Sequence, residues 1–84
     1  MSRKNVIVSN VSDSHANPIA ELVQLACRFD SEIILESDNR RINAKSIMGM
    51  MMLGMVENEN VNLQVQGPDE EEAIAALTRF LSAE

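Results

Sequence analysis

Hydrophobic and polar positions in this chain follow two periods, and the switches between them mark its elements. Val6-Ile7-Val8, inside Asn5 to Ser9, is short and β-branched and predicts a first strand. A polar run from Asn10 to Asn17 follows. Ile19, Leu22, Val23, Ala26 and Cys27 then recur at i, i+3, i+4, i+7 and i+8, one face of an amphipathic helix. Pro18 suits its first turn, where a missing N–H removes no helical bond. Ile33-Ile34-Leu35, between Glu32 and Glu36, predicts a second strand, and Ser37-Asp38-Asn39 supplies turn chemistry for a hairpin into a third around Ile42. Ser46 is a helix N-cap ahead of Ile47, and Gly54 a stop. Val61, Leu63 and Val65 alternate with Asn60, Asn62, Gln64 and Gln66, a strand with one buried and one wet face. After Gly67-Pro68, the acids of Asp69 to Glu72 open a last helix whose stripe is Ala73, Ile74, Leu77, Phe80 and Leu81. The order β-α-β-β-α-β-α predicts an α+β fold, a four-stranded antiparallel sheet with three helices on one face, as a single domain over residues 1–84.

Composition narrows the class of protein. Eighty-four residues leave room for one small domain with a thin core. The net charge of −6 argues against direct nucleic-acid binding, which needs a basic footprint. One Cys and one His provide neither an internal disulfide nor a metal site, so no metal and no cofactor are expected. Cys27, on the apolar stripe, is expected in the core. Val6 to Val8 is too short for a signal-peptide core, and the ten residues from Ile47 to Val56 are about half a membrane span. A cytoplasmic protein without membrane insertion is expected. The charge is uneven: residues 1–38 sum to −3, 39–56 to +3 and 57–84 to −6. The basic island (Arg40, Arg41, Lys45) coincides with a run holding five of the six Met.

Two residues carry candidate chemistry. His15 stands in a polar loop just before a helix, where free N–H groups can receive an anion and an imidazole can accept and release a phosphoryl group. By itself, a lone histidine in a loop reads as an ordinary surface residue, and its place before the helix is what raises the functional reading. Asp13, Ser14 and His15 are sequence neighbours, and adjacent side chains on a loop rarely converge, so a hydrolase triad is discarded. Ser46 reads either as a plain helix cap or as a modifiable hydroxyl, because a phosphate there meets the helix dipole and nearby cations. The short helix after it cannot be buried all round. With Met50 and Leu53 inward, Ile47, Met48 and Met51, with Met52 beside them, form an exposed patch suited to partners.

The run Asn43-Ala44-Lys45-Ser46-Ile47-Met48-Gly49-Met50-Met51-Met52-Leu53-Gly54 resembles the regulatory serine segment of HPr proteins, the small phosphocarriers of the sugar phosphotransferase system in Gram-positive bacteria. The resemblance extends over nearly the whole chain. His15 and Pro18 occupy the active-loop position, Phe29-Asp30-Ser31-Glu32 follows the first helix, and Gly67-Pro68-Asp69-Glu70 precedes the last. It implies an open-faced β-sandwich and a phosphoacceptor protein, not an enzyme. His15 would take a phosphoryl group from enzyme I and pass it to IIA components of sugar permeases, with Ala16, Asn17 and Pro18 supporting the loop. Ser46 would be phosphorylated by HPr kinase/phosphorylase and the product would bind catabolite control protein A, with Ile47, Met48, Met51 and Met52 at the partner surface. The chain departs from the family loop, Gly-(Leu or Ile)-His-(Thr or Ala)-Arg-Pro. Asn17 replaces the arginine and Asp13 the glycine, which implies a weaker relay through His15 and, since His15 itself is kept, a chain intermediate between an ordinary phosphocarrier and a regulatory paralogue resembling catabolite repression HPr. A phosphate-independent interaction module docking through the Met patch is the alternative. A monomer or a weak, domain-swapped dimer is expected at this size.

Overall fold

The computed structural model describes residues 1–9, 16–53 and 58–82, Leu53 through its backbone alone. The described elements are β1 (Ser2–Ile7), α1 (Pro18–Ala26), β2 (Glu32–Ser37), β3 (Arg40–Asn43), α2 (Ile47–Leu53), β4 (Asn60–Gln66) and α3 (Glu70–Ser82). Their order is the one the periodicity predicts. The strands form one sheet in the order β1-β4-β2-β3, every neighbouring pair antiparallel. Two strands joined through a helix (β1 to β2, β3 to β4) are therefore parallel and separated by a strand from elsewhere in the chain, an interleaved pair of split β-α-β units.

Alternation sorts the sheet into two faces. Val6, Ile33, Leu35, Val61, Leu63 and Val65 point into one core with Leu22 and Ala26 of α1, Met50 of α2, and Ala73, Leu77 and Leu81 of α3. All three helices cover this face. The other is open and polar: Asn62 donates to Asn5 Oδ1 at 2.8 Å, Gln64 donates to Asn62 Oδ1 at 2.8 Å, and Arg41 pairs with Glu36 at 3.4 Å. The hairpin turn needs left-handed backbone at two positions, and Asp38 (φ 50°) and Asn39 (φ 66°) are residue types that tolerate it.

Two boundaries differ from the sequence expectation. The first strand is Ser2–Ile7, not Asn5 to Ser9, because β4 is long enough to pair Ser2 with Val65 and Arg3 with Gln64. Val8 and Ser9 leave the ladder but stay bonded: Val8 N–H donates to Glu59 O at 2.9 Å and Val8 O accepts the Asn58 N–H at 2.7 Å, while Ser9 N–H donates to Leu81 O at 3.0 Å and its hydroxyl to Ser82 O at 2.9 Å. Cys27 is exposed, not a core residue. The helix ends at Ala26, so Cys27 is its C-cap, and a position eight residues into the period lies on the stripe only while the helix continues. Phe29 packs against the core edge instead. Among the described residues no helix is long and apolar enough to cross a membrane.

Candidate functional site

The site is built around the start of α2. Asn43 ends β3, and its Oδ1 accepts the Lys45 N–H at 2.9 Å while its carbonyl accepts the Ser46 N–H at 3.0 Å. This local turn aims Ser46 at the helix it opens. Ser46 Oγ accepts the Gly49 N–H at 3.2 Å, and Ser46 O accepts the first helical bond from Met50 N–H at 2.9 Å. Ser46 is thus an N-cap, satisfying a donor that a helix start leaves open. Its own hydroxyl proton is not used in that bond.

Gly49 decides how closely α2 lies on the sheet. A Cβ there would stand 2.9 Å from Ile42 Cγ2 and 3.4 Å from Ser46 Oγ. A missing side chain lets the helix approach β3, and Met50 then inserts fully into the core. The other side of the helix carries what is left of the Met cluster: Ile47 is 43% exposed, Met48 77%, Met51 65% and Met52 71%. The inward Met50 and the outward patch agree with the sequence expectation. The side chain of Leu53 and the stop at Gly54 lie outside the described residues.

The basic island does not surround Ser46. Lys45 Nζ donates to Phe29 O at 2.6 Å, fastening the start of α2 to the exit of α1. Arg40 Nη1 donates to Met52 O at 3.1 Å, at the opposite end of α2, where a cation complements the helix dipole. Arg41 lies on the open sheet face with Glu36 and Gln64. Clustering in sequence became dispersal in space, because a strand alternates its side chains and a helix carries the chain away. Gly49 is a site residue the sequence reading did not single out, and Arg40, expected as a cation near Ser46, serves the far end of α2 instead. The signal for Gly49 was present, a glycine inside a short run of helix formers.

Asp13, Ser14 and His15 lie outside the described residues. Their flank is visible: Ala16 and Asn17 are exposed, and Pro18 opens α1. Asn17 is the N-cap position, yet its side chain makes no capping bond; its N–H donates to Glu21 Oε2 at 2.9 Å. β1 ends, and β3 and β4 begin, at one end of the sheet, as the pairings Ile7–Asn60 and Ser37–Arg40 show. The chain from β1 to α1 leaves there, and Arg40 holds the last turn of α2 there. Ser46 stands at the other end of α2, about 10 Å away for seven residues of helix. Among the described residues no group of three or more His, Cys, Asp or Glu is placed to hold a metal ion.

The model of the family described as PTS HPr component phosphorylation site matches residues 2–83. This chain belongs to the HPr family. The phosphocarrier protein HPr of Treponema pallidum (strain Nichols) is 47% identical over 77 residues, covering 92% of this chain and 88% of that protein. The HPr-like protein Crh of Halalkalibacterium halodurans is 43% identical over 84 residues, 100% of both. The crystal structure of an HPr from Bacillus anthracis superposes with a TM-score of 0.89 at 38% identity, covering 96% of each chain. The sheet order and the single helical layer described above are thus those of the HPr open-faced β-sandwich.

Proposed function

We propose that this chain is a phosphoacceptor of the phosphoenolpyruvate-dependent sugar phosphotransferase system and of carbon catabolite repression, a carrier and regulator, not an enzyme. The observation that carries the regulatory half is the geometry of Ser46, a helix-capping hydroxyl at the start of the helix that exposes Ile47, Met48, Met51 and Met52. A kinase can seat on that patch and reach Ser46 Oγ. The oxygen attacks the γ-phosphorus of ATP, the bond to ADP breaks, and the hydroxyl proton leaves to a base on the kinase. The product dianion lies at the positive end of α2, so the folded state accepts it. The phosphorylated serine and its apolar neighbours then form one composite surface for catabolite control protein A.

The carrier half belongs to His15. Its imidazole would take the phosphoryl group from phosphorylated enzyme I and give it to IIA components, a nitrogen–phosphorus bond forming and breaking in turn. Asn17 is exposed and uncharged where the family arginine would contribute a charge-assisted contact of about 1.5–3 kcal/mol, or roughly ten- to a hundredfold in an equilibrium. Relay through His15 is therefore the weaker of the two reactions. Both relatives named above carry an HPr name, which does not favour the phosphate-independent interaction module.

Parallel phosphorylation tests both halves. One arm supplies phosphoenolpyruvate and enzyme I, the other ATP and HPr kinase/phosphorylase, each followed by mass spectrometry. An acid-stable adduct on Ser46 and a slower, acid-labile adduct on His15 are expected. The absence of both overturns the proposal.

A further inference from the structure

α2 carries four thioethers, three of them open to water and the fourth packed in the core. Met48, Met51 and Met52 are 77%, 65% and 71% exposed, while Met50, in the same helix, is 0% exposed. Oxidation of methionine follows exposure, and it turns a flexible apolar side chain into a polar one. The three reactive sulfurs lie along α2, the helix that the modifiable Ser46 opens, on the surface proposed above for its partners. The buried one holds the helix to the core. Chemistry at the outer sulfurs can thus change the surface without unfolding the helix beneath it.

We propose that Met48, Met51 and Met52 are a reversible oxidation site for hydrogen peroxide, and that their sulfoxides close the α2 surface to partners. A sulfur lone pair attacks one peroxide oxygen. The sulfur–oxygen bond forms as the oxygen–oxygen bond breaks, and hydroxide leaves and takes the remaining proton as water. Sulfur loses two electrons and peroxide gains them. A methionine sulfoxide reductase, with a thiol as reductant, restores the thioether. A sulfoxide oxygen buried against an apolar partner surface without a hydrogen-bond donor weakens binding by roughly tenfold. This rests on α2 being the docking surface of Ser46, and it adds a second input to that surface: phosphate at the cap and oxygen at the patch.

The test uses the full chain with Cys27→Ser, which removes the exposed thiol as a competing target. After graded hydrogen peroxide, peptide mass spectrometry follows each Met, and circular dichroism follows the fold. Ser46 phosphorylation by HPr kinase/phosphorylase with ATP is timed before oxidation, after it, and after reductase treatment. Met48, Met51 and Met52 are expected to oxidise well before Met50, with an unchanged melt, a tenfold or greater slowing of phosphorylation, and recovery on reduction. Met1, exposed ahead of β1 and outside α2, supplies a control sulfoxide that is expected to have no effect. The variant Met48→Leu/Met51→Leu/Met52→Leu keeps an apolar patch and is expected to be phosphorylated at the same rate with and without peroxide. Oxidation that leaves the rate unchanged overturns the proposal, as does a triple variant that stays sensitive or oxidation of Met50 at the rate of its neighbours. If the unoxidised chain is not phosphorylated on Ser46, the underlying docking reading fails, and this proposal with it.

Discussion

Asp69, just ahead of α3, holds Ser31, just ahead of β2, with reciprocal bonds across the end of the sheet. Asp69 Oδ1 accepts the Ser31 backbone N–H at 3.0 Å and also the Ser31 hydroxyl, Oδ2 accepts the Asp30 N–H at 2.9 Å, and Asp69 N–H donates to Ser31 Oγ at 3.3 Å. One carboxylate thereby closes the chain entry of both a strand and a helix. Ser31 is fully buried, so its own N–H and hydroxyl have no water as an alternative.

That carboxylate titrates below the ordinary range, chiefly because the Ser31 hydroxyl and then the Asp30 N–H donate to its charged form. Glu70 is lowered too, by the Ser2 hydroxyl first and then by the N-terminal ammonium of Met1, 3.1 Å away. Both folded-state values lie below the unfolded value of about 4. The unfolded chain therefore binds more protons between the two, and stability rises with pH there. The contribution is complete above the unfolded value and is lost as pH falls through the folded one. Melting temperatures from pH 7 down to 3 should fall on the acid side, and Asp69→Asn should lower the melt at pH 7 and flatten that acid limb. An acid limb of unchanged slope in Asp69→Asn would show that the bond network is not what titrates.

Gly67 lies against the same serine. Its φ of 153° is in the region that favours glycine, and a Cβ there would stand 2.6 Å from Ser31 Cα. Strained backbone costs about 1–3 kcal/mol before any clash is counted, so Gly67→Ala should lose at least that much in urea unfolding. A loss under about 0.5 kcal/mol would contradict the geometry.

Gly49→Ala sets two effects against each other. Helix propensity favours alanine by about 1 kcal/mol, while the new Cβ meets Ile42 Cγ2 at 2.9 Å. Gly49→Ala alone should be destabilising. In Gly49→Ala/Ile42→Leu the branch that clashes is gone, and the double variant should recover stability relative to additivity, a coupling that a double-mutant cycle reads directly.

Met50 and Met48 separate folding from docking. Met50→Ala empties a fully buried position and should cost about 2–5 kcal/mol. Met48→Ala, at a position 77% exposed, should change stability by no more than about 0.5 kcal/mol, yet slow Ser46 phosphorylation. Equal stability losses in the two variants would refute the assigned faces of α2.

Ser46→Ala is the natural phosphorylation control, and it carries its own structural effect. It removes the bond to Gly49 N–H and should cost about 1 kcal/mol, whereas Ser46→Asp keeps an N-cap acceptor and should stay near the parent melt. Thermal melts run beside any binding assay would keep the loss of the cap from being read as the loss of a phosphate.

The sequence by itself determined what local periodicity and turn chemistry can encode. The alternation of Val61, Leu63 and Val65, the Asp38-Asn39 turn, and the stripe of Ala73, Leu77 and Leu81 each dictate an element and its inward face, because burial must follow the period of the backbone. Met50 inward with Met48 and Met51 outward was legible for the same reason, as was Ser46 as the cap. The tertiary structure decided whatever depends on where an element stops and what lies beside it. Cys27 left the core because α1 ends one residue earlier, and β1 begins at Ser2 because β4 offers it partners. Arg40, Arg41 and Lys45 are close neighbours in the chain, yet they serve the far end of α2, the open sheet face and the exit of α1. Hydrophobic burial fixes faces locally, but a charged side chain goes to whichever acceptor the assembled chain brings within reach.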